Sequence, residues 1–438
     1  MKILLLSGGS GKRLWPLSND IRSKQFLKLL KNEKGDQESM VQRVYNQIKT
    51  SGINSDIVVA TGRKQRDSVM SHLGDTVDLV LEPERRDTFP AIALASAYLY
   101  YEKDMRDDEV IVVLPVDPYA DLEYFTLLKE IEKKIIYGET NICLMGIKPT
   151  YPSAKYGYII PDSDTGFVKS FQEKPTEKLA KQLIDDGALW NGGVFAFKAG
   201  YIMDKLRQYI KFNNFPDIEE QYSSLPKISF DYEIVEKEAS IAMVEYRGMW
   251  KDIGTWNTLT EVMDDYKNGN VLMSNSCENT HVINELDIPV TVLGAKNMVV
   301  VASPDGILVS DKYESSQLKE YVNDISKIPM YEEFGWGETK VLDYVEFDEG
   351  KYSITKNIII IAGEYLNFEE NSNKDVILTI VSGKGDIVID NQIKGFKSGD
   401  VNIINKEQNY SIRALTNLRI IEVVIGSKTT EKKAIVFQ

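Results

Sequence analysis

The sequence predicts an α/β domain followed by a β-rich second half, and three observations carry that expectation. In the first half, continuous apolar runs alternate with amphipathic stretches, the rhythm of strands and helices wound about a parallel sheet. Beyond Gly269 helical periodicity nearly vanishes and short β-branched runs separated by turn residues take over. From Gly335 to about Ser427, alternating strands recur at the even spacing of a small β-barrel or jelly roll.

Taken in order, KILLL (2–6), DIVVAT (56–61), VDLVLEP (77–83), EVIVVLPVD (109–117) and NICLMGI (141–147) are apolar throughout, as strands buried on both faces require. Between them SMVQRVYNQIKT, AIALASAYLYYEK and EYFTLLKEIEKKI space apolar residues by three and four, which predicts amphipathic helices. From about 151 come the hairpin-like pieces YGYIIP, FVKSFQEKP and WNGGVFAF, then a helix-rich span, then IAMVEYR running into WKDIGTWNTLTEVMDDY. These complete a first domain, residues 1–268. Residues 269–330 read as a short β-rich connecting segment, with Pro304-Asp305-Gly306 a turn. Residues 331–438 hold the barrel strands, among them YSITKNIIIIAG, DVILTIVSGKGDIVID and LRIIEVVI.

Composition narrows the function. The 438 residues are about three times a ~150-residue domain, so a single small binding module is excluded. The net charge of −14 argues against broad nucleic-acid binding, which needs a basic surface to neutralise phosphates. Yet residues 1–28 hold Lys2, Lys12, Arg13, Arg22, Lys24 and Lys28 against Asp20 alone, which suits a small polyanion. No apolar run approaches the ~18 residues that span a bilayer, and the start turns Gly-rich and basic too soon for a signal peptide; no membrane association is expected. The only cysteines are Cys143 and Cys277, and the only histidines His72 and His281. They encode neither a disulfide framework, nor a Cys- or His-rich metal site, nor a histidine relay, so catalysis falls to carboxylates, Lys and Arg, and a reducing cytoplasm is the expected setting.

SGGSGKRLWPLS (7–18) directly follows the first strand, where an α/β sheet presents its ligand-binding edge. Successive small residues let backbone N–H groups approach phosphate oxygens, and Lys12 and Arg13 add charge. A Walker loop needs Gly where Leu6 stands and a hydroxyl where Arg13 stands; a dinucleotide fingerprint needs Gly in place of Leu14. Both familiar phosphate motifs fail, leaving either a plain flexible turn or another phosphate loop.

The continuation decides. SGGSGKRLWPLS and IRSKQFLKL (21–29), with Trp15-Pro16-Leu17-Ser18 and Lys24-Gln25-Phe26-Leu27 the specific strings, resemble the signature of the sugar-1-phosphate nucleotidyltransferases, in their mannose-1-phosphate guanylyltransferase branch. LEPERRDTFPAIALA (81–95), LPVDPY (114–119), YGYI (156–159), FQEKP (171–175), WNGGVFAF (190–197), FDYEIVEK (230–237) and WKDIGTW (250–256) follow in the family's order. The resemblance covers nearly the whole chain. It implies a Rossmann-like (GT-A-like) catalytic domain and a cupin-like carboxy-terminal barrel, and a reaction joining an NTP to a sugar 1-phosphate with release of pyrophosphate, for surface polysaccharide synthesis.

By the same resemblance Gly8, Gly9, Gly11, Lys12 and Arg13 cradle the triphosphate, with Glu82 and Arg86 near the nucleotide. Lys24 neutralises the reacting phosphates, and Asp117 and Asp252 hold Mg2+, a hard ion suited to carboxylate oxygens. Lys174 takes the sugar phosphate, and Gly157, Glu173 and Asn191 the sugar. GTP and mannose 1-phosphate are the expected substrates. The sequence leaves open CTP or another NTP with a different phosphorylated sugar or polyol, and a catalytically dead regulatory subunit that binds nucleotide sugars.

Departures from the family pattern bear on that choice. Lys12 stands for Thr, Ser23 for Pro, Asp87-Thr88-Phe89-Pro90 for Asn-Thr-Ala-Pro, and Val116-Asp117-Pro118 for Ala-Asp-His. Asp87 replaces an amide donor with an acceptor-only carboxylate, which puts base and sugar identity in question. In bifunctional relatives the cupin segment is a phosphomannose isomerase with a histidine-held metal. Here no His follows His281, so no isomerase is expected; Glu369, Glu370 and Asp375 are weak candidates for a hard cation. The barrel is then a structural or regulatory part, or a homo-oligomer contact.

Overall fold

The computed structural model of the chain describes residues 1–9, 12–19, 21–138, 140–162, 167–323, 325, 328–368 and 374–427. The apolar runs of the first half are strands of a nine-stranded sheet whose main path is Val168–Gln172, Tyr158–Pro161, Leu189–Lys198, Val110–Pro115, Lys2–Leu6, Ile57–Gly62 and, at the edge, Asp78–Glu82. Ile142–Ile147 joins through Leu189–Lys198 and in turn pairs with Ile241–Tyr246. Lys2–Leu6 is parallel to both of its neighbours, and Ile57–Gly62 to Asp78–Glu82. Leu189–Lys198 runs antiparallel to Val110–Pro115 and to Ile142–Ile147, so the sheet is mixed rather than uniformly parallel. A continuous apolar run reports burial on both faces and not strand direction, which is why the expectation of a parallel sheet overreached.

The helices start where their caps permit. Ser39 and Gln42 form a reciprocal capping box ahead of Met40–Thr50. Thr88–Glu102, expected to be amphipathic, is buried on nearly every side, with Phe89 through Ala97 all in the interior. Its small residues sit in the same hydrophobic core as Leu4, Val113, Leu144, Phe195 and Phe230. The stretch 123–135 is divided between two helices, Leu122–Thr126 and Leu128–Tyr137.

The backbone groups into two compact units, Met1–Ser10 with Ser23–Asp264, and Gly11–Arg22 with Asp265–Gln438. In the second unit a four-stranded sheet runs Lys267–Gly269, His281–Asn284, Met298–Ser303, Gly306–Asp311. The Trp15-Pro16-Leu17-Ser18 string packs there: Ser303 Oγ donates to the Pro16 carbonyl at 2.8 Å, and Asn19 Nδ2 to Asp305 at 3.1 Å. Gly306, at φ +155°, lies where a Cβ would meet the Trp15 ring at 2.4 Å, so the turn needs glycine twice over.

The barrel pairs a six-stranded sheet (Tyr331–Phe334, Gly337–Glu346, Lys351–Ile360, Leu418–Ser427, Lys374–Ser382, Val401–Ile404) with a four-stranded one (Tyr365–Phe368, Tyr410–Ala414, Lys384–Ile389, Gln392–Lys397), the cupin-like double-sheet arrangement. Ile358, Leu378, Ile387, Ile412 and Ile420 fill it. Glu422 also points inward, accepting from Tyr410 Oη at 3.1 Å and pairing with Lys356 at 3.3 Å. Among the described residues no three His, Cys, Asp or Glu gather to hold a metal, and no helix is long and apolar enough to cross a membrane. Asp375 accepts from the Lys406 N–H at 3.2 Å; Glu369 and Glu370 lie outside the described residues.

Candidate active site

The first strand ends at Leu6, and its carbonyl edge opens into the Gly-rich loop. Ser7 is buried, and its carbonyl accepts from Gln25 Nε2 at 2.9 Å and Thr61 Oγ1 at 3.1 Å. Gly8 and Gly9 are exposed, with Gly9 at φ +145°. The Gly9 carbonyl accepts from Ser23 Oγ at 3.3 Å, Gln65 Nε2 at 3.2 Å and Arg85 Nη2 at 3.1 Å. Ser23, where the family has Pro, thus supplies a hydroxyl that ties the loop down.

Asp117 and Asp252 lie 135 residues apart in sequence and come together through a two-stranded antiparallel ladder, Pro118–Ala120 with Trp250–Asp252. Its register pairs Asp252 with Pro118, the residue after Asp117. Lys24 Nζ donates to Asp117 Oδ2 at 2.6 Å and stands 3.9 Å from Asp252 Oδ1. One ammonium between two carboxylates marks the spot where they concentrate negative charge. The side chains stay 38% and 32% exposed, open enough to take a ligand.

A second cluster forms around Lys174, itself held at φ +44°, a conformation that costs of order 1 kcal/mol and gathers at functional sites. Lys174 Nζ donates to Glu173 Oε1 at 2.6 Å. Burial works against its charge, but Glu173, Asp231 and Tyr232 outweigh that and raise its pKa. Glu173 lies so close to Gly157 that a Cβ there would fall 2.4 Å from Oε2, so a larger residue would displace the Glu173 carboxylate. The Gly157 carbonyl accepts from the Asn191 N–H at 2.8 Å, and Asn191 Nδ2 donates to Asp231 Oδ1 at 2.7 Å. Burial, then the neighbouring Glu173 charge, push Asp231 up to about 7 against the pull of Lys174 and Asn191. Gly157, Glu173, Lys174 and Asn191, assembled from three segments, are therefore brought together. Asp231 joins them from FDYEIVEK, whose clustered acids gave no basis for choosing one.

Sequence reasoning also missed an aromatic wall beside these clusters. Tyr156 packs on Trp190 at 4.8 Å and Trp250 at 5.6 Å, and Tyr151 on Trp190 at 5.0 Å. Burial raises the Tyr156 phenol pKa most, then its hydrogen bond with Tyr151, and the charges of Asp252 and Asp117 add to both. Glu82 is buried and accepts from Tyr222 Oη at 2.8 Å; burial raises its pKa against that bond and Arg85. Arg86 is engaged structurally, to Glu84 and to the Leu225 carbonyl, each at 2.7 Å. Asp87 is exposed at φ +78° and accepts from the Thr88 N–H at 2.8 Å, capping the helix Thr88–Glu102. Lys12 and Arg13 fall in the second unit, where Lys12 Nζ donates to the Asn323 carbonyl at 3.1 Å. Gly11 lies outside the described residues.

The chain is similar to known proteins along most of its length. It is 28% identical to the mannose-1-phosphate guanylyltransferase of Salmonella montevideo, over 89% of this chain and 88% of that protein. It is 27% identical to the alginate biosynthesis protein AlgA of Pseudomonas putida, over 97% and 93%. A solved structure named mannose-1-phosphate geranyltransferase, from Thermus thermophilus, superposes with a TM-score of 0.61 at 29% identity, covering 74% of this chain and 99% of that one. The family model for nucleotidyl transferases matches residues 2–269. Because that match takes in more than half of the chain, and with it the loop and every residue gathered around Lys24 and Lys174, the protein belongs to the nucleotidyl transferase family.

Proposed function

We propose that the chain transfers a guanylyl group from GTP to mannose 1-phosphate, giving GDP-mannose and pyrophosphate for surface polysaccharide synthesis in the cytoplasm. The observation that carries this reading is the convergence of Asp117 and Asp252 on the Lys24 ammonium, beside a second cluster in which Lys174 meets Glu173 and Asp231. Two lysines, one in each cluster, suit two phosphorylated substrates, with the Asp117 and Asp252 carboxylates left for a metal ion. The substrate names come from similar proteins, among them the Salmonella guanylyltransferase. Asp87 Oδ1 caps a helix while the exposed carboxylate keeps its other oxygen free to meet a base, so the preference among NTPs is read from the substrate screen.

An oxygen of the sugar phosphate attacks the α-phosphorus in line, the bond from that phosphorus to the bridging oxygen breaks, and pyrophosphate leaves. The attacking oxygen is already anionic, so no general base is required. What the residues must do is hold two anions together. Gly8 and Gly9 admit the triphosphate close to the backbone, and Lys24 neutralises charge around the reacting phosphorus. Lys174 takes the sugar phosphate, while Glu173, Asn191 and Asp231, packed around Gly157, accept from and donate to the sugar hydroxyls. Asp117 and Asp252 fit Mg2+: both present hard oxygens, already converge on a cation, and leave room for water and phosphate oxygens. Bound there, the ion would add positive charge against the phosphoryl oxygens.

A pyrophosphate-release screen of the four NTPs against a panel of sugar 1-phosphates, with magnesium, tests the assignment. GTP with mannose 1-phosphate should be the fastest pair. A faster pair would replace the substrates, and no turnover by a folded protein that still binds an NTP would replace catalysis with a regulatory role.

A further inference from the structure

We propose that the second unit carries a binding site for a small phosphorylated polyol, in a cavity of 370 Å³ lined by none of the residues of the proposed reaction centre. One wall is the outward face of the six-stranded sheet. Lys340 pairs with Asn357 in the ladder register, and Ile359 lies between Glu338 and Arg419. Thr339, Ile358 and Leu418, on the alternate positions, are buried inward, so Lys340, Asn357 and Arg419 share the outer side. The opposite wall is made by Glu285, Asp287 and Pro304, which lie just beyond strands of the four-stranded sheet.

Arg22 closes the floor. It is nine-tenths buried, forks onto Glu285 at 2.8 and 2.9 Å, and lies 5.1 Å from the Tyr331 ring centre. A long side chain buried in a fixed fork makes a rigid base for a site.

The polar groups around the cavity are mostly spent on one another. Arg22 has Glu285; Tyr331 Oη donates to Glu338 at 2.7 Å; Lys340 donates to Asp287 at 2.8 Å. Two groups remain. Arg419 feels the charge of Asp287 but makes no direct hydrogen bond or ion pair among the described residues, and Asn357 Oδ1 is a buried acceptor without a donor. A guanidinium calls for an anion and a buried carbonyl oxygen for a hydroxyl, so the ligand carries both. Lys340 strengthens the case for phosphate over a single charge, because its partner Asp287 is 94% exposed and such a pair is weak enough for the ammonium to be shared. The volume lies toward the small end of ligand sites and suits a hexose phosphate, which fills it and offers several hydroxyls to Asn357 where inorganic phosphate would occupy only a part.

Calorimetric titration of the full chain with glucose, mannose and fructose 6-phosphates tests the site, with the free hexoses and inorganic phosphate alongside. None of these sugar phosphates carries its phosphate on the anomeric carbon, so none can serve as the sugar 1-phosphate, and the measurement needs no turnover. Its outcome is therefore distinct from that of the substrate screen. At least one hexose 6-phosphate should saturate a single site, with phosphate and the matching hexose each at least tenfold weaker. Arg419→Ala, which removes an exposed side chain and should leave the melting temperature unchanged, should weaken that binding at least tenfold; Asp252→Asn should not alter it. Overturning results are no saturable binding by any of the three, phosphate as tight as the hexose phosphate, equal binding by Arg419→Ala, or loss of binding in Asp252→Asn.

Discussion

Asp231 is the side chain in the site whose charge changes across ordinary working pH. Its carboxyl is raised from about 3.8 to about 7, so the folded chain holds a proton there that the unfolded chain gives up in acid. The sign follows from linkage: the stabilisation is fully present below the unfolded value and is lost as pH rises through 7. Differential scanning calorimetry from pH 5.5 to 8 should show the wild-type midpoint falling relative to that of Asp231→Asn, which keeps the Asn191 contact without a titrating group. Parallel pH profiles would contradict this. The other candidate residues stand out in the sequence because the signature strings isolate them: one Asp in LPVDPY, one in WKDIGTW, one Lys in FQEKP. Asp231 was hidden because several acids sit together in FDYEIVEK, and only the contact with Asn191, 40 positions away, picks it out.

Elements show the same division between local and distant causes. The apolar runs located the central strands to within a residue or two, since burial on both faces leaves a local trace. Direction leaves none, and the antiparallel Leu189–Lys198 was not foreseen. Nor does sequence show that the short ladder of Pro118–Ala120 and Trp250–Asp252 pairs, though it joins the two carboxylates. The Asp87 departure has a local role as the cap on Thr88–Glu102, and we propose that this is its main one. Asp87→Ala should therefore cost about 1 kcal/mol in urea unfolding while leaving the preference among NTPs unchanged. A shift in nucleotide preference with intact stability would return Asp87 to the nucleotide site.

At the scale of the molecule, the barrel was legible as strands but not in its interior. Glu422 falls on the inward side of a strand that is otherwise apolar inside, and its partners Tyr410 and Lys356 come from two other strands. That interior offers a paired carboxylate rather than imidazoles, so interconversion of mannose 6-phosphate and fructose 6-phosphate should be undetectable even with added zinc, cobalt or manganese. Isomerase activity that copurifies with the chain would contradict this. The most direct test of the central claim is pyrophosphate release from GTP and mannose 1-phosphate with magnesium, by the full chain and its Asp117→Asn, Asp252→Asn and double variants. Each single change should cost roughly 10²- to 10³-fold in turnover, about 3–4 kcal/mol, and the double little more, because both carboxylates serve one centre. Near wild-type turnover in either single variant would contradict the account.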